Sequence, residues 1–151
     1  MQRRALFSHL SRLAAVLAWQ QVCAHRAQAR GQVPPPAAWH AADEVFTLGV
    51  ASGEPRPDSV VIWTRLAPKP LQADGGMPAQ AVPVRWEVAA DARFARVLQS
   101  GSAVADPAAA HSVHVEVKGL PAGRPCFYRF EAGGQRSPVG RTRTAPDPGE
   151  R

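Results

Sequence analysis

Val84-Arg85-Trp86-Glu87-Val88 alternates apolar and charged side chains without a break. Successive side chains of a β-strand point to opposite faces, so Val84, Trp86 and Val88 are expected to meet a core while Arg85 and Glu87 meet water. The two-residue period returns further along, with Val113, Val115 and Val117 expected inward and Ser112, His114 and Glu116 outward. It returns again at 126–132, where Cys126, Tyr128 and Phe130 share a face.

Outward from these segments, 15 Pro and 12 Gly interrupt the 151-residue chain so often that long helices are excluded. Seven short strand-like runs are expected, at 44–51, 59–66, 84–88, 96–104, 112–117, 126–132 and 139–144. The run holding Val60, Val61, Ile62 and Trp63 is nearly continuously apolar, as a central strand is, and the Pro- and Gly-rich stretch 67–83 is expected to be an exposed loop. Strands with one wet and one dry face form two antiparallel sheets packed face to face. The expected fold is therefore all-β, an immunoglobulin- or fibronectin type III-like sandwich. Its expected inward set is Val61, Trp63, Val84, Trp86, Val113, Val115, Val117, Leu120, Tyr128 and Phe130, which at about 25 cal/mol per Å² of buried apolar surface suffices to hold one domain.

The formal charge of +6 suggests nucleic acid until its placement is considered. Five of the 18 Lys and Arg residues (Arg3, Arg4, Arg12, Arg26, Arg30) fall in the first 30 positions, which hold no acid, leaving 13 basic against 12 acidic residues elsewhere. No nucleic-acid partner is expected. The leader itself runs from paired Arg3 and Arg4 through an apolar stretch to Ala27-Gln28-Ala29, the order of a signal peptide, and its arginine pair resembles the twin-arginine export motif. The apolar run from Leu13 to Trp19 falls well short of the roughly 20 residues that span a bilayer, so no stable membrane anchor is expected. The expected organisation is a leader at 1–29, a Pro-rich linker at 30–43, the sandwich at 44–146 and a connecting tail at 147–151. Cleavage after Ala29 would remove Cys23 and leave Cys126 unpaired, most simply as a small buried hydrophobe.

No catalytic, cofactor-binding or metal-binding residue is assigned from the sequence. His111 and His114 are three apart, which on a strand sends them to opposite faces, and His40 lies in the linker. The carboxylates are scattered, and the Gly75-Gly76 loop lacks the Lys-Ser/Thr of a phosphate cradle. Arg136, Arg141 and Arg143 form a basic cluster on the last strand, read as a guard against edge-to-edge pairing.

Several stretches together resemble the N-terminal domain of the alkaline phosphatase D (PhoD-like) family. They are Phe46-Thr47-Leu48-Gly49-Val50-Ala51-Ser52-Gly53-Glu54-Pro55, Asp58-Ser59-Val60-Val61-Ile62-Trp63-Thr64-Arg65-Leu66, Phe127-Tyr128-Arg129-Phe130 and Ser137-Pro138-Val139-Gly140-Arg141-Thr142-Arg143-Thr144-Ala145-Pro146. The resemblance implies a secreted or periplasmic metallophosphoesterase acting on phosphate esters, with calcium and iron held in a second, larger α/β domain that begins after the Thr-Ala-Pro segment. None of that domain's ligand motifs is present, so no cofactor is expected in this chain. The expected function is a non-catalytic, monomeric module whose partners are that catalytic domain and, through Arg3 and Arg4, the export machinery. The alternative is a free-standing exported fibronectin-like module that binds protein or glycan through its loops.

Overall fold

The structure, a computed structural model, describes residues 43–149. The expected leader, the linker up to position 42 and the last two positions of the tail, with Arg3, Arg4, Cys23 and His40, lie outside the described residues. Two antiparallel sheets pack face to face, as the alternating segments require. The smaller has the order β1 (Val50–Gly53), β2 (Ser59–Arg65), β5 (Ser112–Lys118). The larger runs β4 (Val97–Ala105), β3 (Val82–Ala89), β6 (Pro125–Ala132), with β7 (Gln135–Arg136) and β8 (Gly140–Arg143) both on the far side of β6. The only helical segment among the described residues is a single 3-10 turn, Pro107–Ala109, entered through Asp106, whose carboxylate accepts the Ala108 N–H.

The all-β sandwich expected from sequence is the fold observed. Val84, Val113, Val117, Leu120, Tyr128 and Phe130 are buried, and Trp86 and Val115 pack half-buried against the same core. Strand β2 departs from the expected inward set. Val60, Ile62 and Thr64 point to the core, while Val61 is half-buried and Trp63 is 42% exposed on the outer face. A continuous apolar run carries no period of its own, and here Thr64 settles the parity: its hydroxyl donates to the Gly49 carbonyl at 2.8 Å, so this buried polar group is satisfied.

The first strand begins six residues later than expected. Residues 45–48 form a turn closed by a bond from the Gly49 N–H to the Phe46 carbonyl, and Gly49 sits at φ 71, which glycine adopts without a steric penalty. That turn delivers Val45 and Phe46 into the core. The 67–83 stretch is likewise only partly exposed, because Ala67 and Met77 are buried and Lys69 N–H bonds the Gly75 carbonyl to fold the loop back on itself. At the far edge of β6, Ser137-Pro138-Val139 separates β7 from β8. Pro138 has no N–H to give the ladder, and beside it the Ser137 hydroxyl, in the place of a backbone carbonyl, accepts the Phe130 N–H at 2.9 Å.

Candidate functional site

A groove of about 430 Å³ lies on the outer face of the larger sheet. Its walls arise from the alternation that builds the core. The residues of β3 and β6 that do not face inward include Arg85 and Glu87, and Arg129 and Glu131. Both strands carry the order Arg-x-Glu, so antiparallel pairing sets Arg85 beside Glu131 and Glu87 beside Arg129. Ser100 and Ser102 of β4 extend the two rows, and Arg136 of β7 closes one.

Each acid in the groove is matched. Arg129 donates to Glu87 Oε2 through Nη2 at 2.7 Å and through Nε at 2.8 Å, while its guanidinium lies 3.9 Å from the centre of the Phe94 ring. Glu131 pairs with Arg85, and Arg136 Nε approaches its other oxygen at 3.4 Å. The Arg85 hydrogen bond holds the Glu131 carboxyl below its ordinary range; desolvation opposes this and Arg136 assists it. Both carboxylates are thus engaged by arginines.

The two histidines lie apart, though not by the expected strand parity, because His111 precedes β5. His111 is 3% exposed, in the left-handed region at φ 56, with Nε2 3.2 Å from the Gln80 carbonyl. His114 is exposed on the outer face of the smaller sheet, where it stacks on its cross-strand partner Trp63 with ring centroids 5.5 Å apart and planes 11° from parallel. Cys126 is fully buried in β6, and burial pushes its thiol up from the ordinary value, so it stays protonated. The expected arginine cluster is divided. Arg136 is committed to Glu131 on β7, whereas Arg141 and Arg143 lie on β8, Arg143 donating to the Gly123 carbonyl at 3.1 Å.

A calcium and iron centre needs several oxygen and nitrogen ligands converging on one point. Among the described residues no group of three or more His, Cys, Asp or Glu converges in this way. The residues present do not fit the metal centre that the family resemblance implies, and no catalytic step is derived through it. Nor is any described helix long and apolar enough to cross a membrane.

The charged groove escaped sequence reading, although its signal was there. Two Arg-x-Glu patterns, in segments already expected to be strands, become mutually complementary once those strands are paired antiparallel.

Known proteins resemble this chain in sequence and fold. The alkaline phosphatase D of Bacillus subtilis (strain 168) is 59% identical over 104 residues, a match covering 69% of this chain and 18% of that protein. The solved structure of PhoD superposes with a TM-score of 0.71 at 55% identity, over 74% of this chain and 21% of the other. A human fibronectin type III domain superposes with a TM-score of 0.44 at 9% identity, over 66% of this chain and 72% of its own. The chain thus spans about a fifth of the length of the phosphatases it matches. The family described as PhoD-like phosphatase, N-terminal domain, matches residues 31–146, and the chain belongs to it.

Proposed function

We propose that this chain acts as the exported, non-catalytic N-terminal module of a PhoD-like phosphatase, with the metal centre in a separate part of the enzyme's polypeptide. The observation that carries the reading is the match of residues 31–146 to the N-terminal domain of the family alone. In the proposed organisation, residues 1–29 direct export through Arg3 and Arg4, 30–43 link, 44–146 form the sandwich, and 147–151 lead toward the catalytic domain. The sandwich would serve to hold that catalytic domain in a fixed direction.

The departure of the chain from β8 supports that role. Thr144 is buried, and its hydroxyl donates to the Pro121 carbonyl at 2.6 Å. Ala145 donates its N–H to Arg56 O at 3.0 Å and accepts from Gly123 N–H at 2.9 Å. The Thr-Ala-Pro segment is therefore fastened to the β1–β2 and β5–β6 loops, and a Cβ placed on Gly123 would lie 3.6 Å from Pro146 Cα. A domain attached after it would inherit a defined orientation.

The test is a domain exchange. Residues 31–146 replace the matching segment of the Bacillus subtilis alkaline phosphatase D, and secretion and metal-dependent hydrolysis of a phosphate ester are measured. Retained activity in the chimera is the expected result. A folded, secreted chimera with no activity would contradict the proposal that the module only braces its neighbour.

A further inference from the structure

The four sheet edges are treated differently. Strand β1 is only four residues long, β5 carries His114, Glu116 and Lys118, and β8 carries Arg141 and Arg143 after the break at Pro138. Short strands, charge and proline are the usual protections against edge pairing. Strand β4 has none of them. It is nine residues long, VLQSGSAVA, without a charge or a proline, and Val97 and Val104 are 44% and 60% exposed. Among the described residues only β3 pairs with it, so alternate backbone N–H and C=O groups on its other side carry no described strand.

We infer that β4 is a self-association edge, pairing antiparallel with β4 of a second copy about a two-fold axis at Gly101. The sequence around that axis is symmetric: Ser100-Gly101-Ser102 lays Ser100 opposite Ser102 of the second copy, and the reverse, as a self-complementary interface needs. Charge on the neighbouring strand selects this register. Arg85 stands beside Ser102 and Glu87 beside Ser100. Across the seam, one row therefore reads Glu131, Arg85, Ser102, then Ser100, Glu87 and Arg129 of the second copy, with signs alternating throughout.

The adjacent registers that keep the same faces outward lose this match. Ser102 opposite Ser102 would place two Arg85 in one row, and Ser100 opposite Ser100 would place two Glu87 there. The groove on the outer face would then run continuously over both copies, floored by small serines at the seam. Such pairing departs from the monomer expected from the sequence, and it does not depend on the phosphatase reading.

The test uses the 151-residue chain. Sedimentation equilibrium is expected to show a reversible dimer, and Ser102→Lys with Val104→Lys is expected to weaken the dimer at least tenfold while leaving the thermal midpoint of the monomer in place. Register is read by disulfide trapping in a Cys23→Ser background. A mixture of Ser100→Cys and Ser102→Cys chains should cross-link to each other in preference to themselves, since directly opposed Cβ atoms lie about 4.5–5.5 Å apart. A wild-type monomer throughout the micromolar range, a dimer indifferent to the lysines, or cross-linking only between identical chains would each overturn the inference. So would a monomer whose β4 amides gain hydrogen-exchange protection only when a longer phosphatase chain is attached, since that would assign the edge to another segment.

Discussion

The ring of Tyr128 lies flat across Gly140, its cross-strand partner, so closely that a Cβ at that glycine would fall 2.3 Å from the ring. Trp86 and Gly101 repeat the arrangement at the other side of the sheet, where a Cβ would come within 2.6 Å of the indole. Each glycine removes the one atom that would stop an aromatic side chain from covering its neighbour, and each aromatic shields a backbone that glycine leaves bare.

Gly140→Ala must push the buried Tyr128 ring out of place. The expected cost is about 1–3 kcal/mol, the range for overpacked cores. Gly134→Ala, where nothing lies within 4 Å of the added Cβ, strains only a backbone at φ 78 and serves as the comparison. Urea unfolding of both variants checks the steric account, and a Gly140→Ala protein as stable as wild type would contradict it.

The two tryptophans of adjacent sheets should separate cleanly. Trp86→Ala removes a ring packed on the core and is expected to cost about 3 kcal/mol, the low end for large aromatics because the indole is half-buried. Trp63→Ala removes only the stacking with His114 and some exposed surface, so about 1 kcal/mol is expected. Chemical denaturation midpoints of the two variants give the comparison directly.

Ser137→Ala leaves the Phe130 N–H without its side-chain acceptor at the break between β7 and β8. An unsatisfied buried donor costs about 1–3 kcal/mol. Hydrogen exchange should report loss of protection at Phe130, with little change at β2 and β5 in the opposite sheet.

Glu131 supplies a pH signature. Its folded-state pKa lies below the ordinary value of 4.5, chiefly through the Arg85 hydrogen bond. A depressed carboxylate pKa stabilises the fold above the unfolded-state value, and the contribution is lost as pH falls through the folded-state one. Stability should therefore decline on acidification below about pH 4.5, and Glu131→Gln should be less stable at neutral pH with a shallower acid limb. Raising the salt concentration should shrink the difference, because the pair is near solvent.

The strands were legible wherever polar and apolar residues alternate, as at 84–88, 112–117 and 126–132. They were less so where the code is silent. Val60-Val61-Ile62-Trp63 fits either parity until the Thr64 hydroxyl meets the Gly49 carbonyl, a long-range contact that the run itself does not encode. The turn at 45–48 hid behind apolar residues because Val45 and Phe46 are buried there for tertiary reasons, and Met77 is drawn inward from a loop of turn-forming composition. The strand-parity reading of His111 and His114 did not foresee that His111 precedes β5 in a left-handed turn, and the Arg-Glu groove required the pairing of β3 with β6.

Hydrolysis of a chromogenic phosphate ester by the purified 151-residue chain, supplied with calcium and iron at alkaline pH, tests the central claim most directly. The account predicts no turnover above buffer, with or without the metals. Turnover that depends on the added metals and vanishes on chelation would place a catalytic centre within these residues and contradict it.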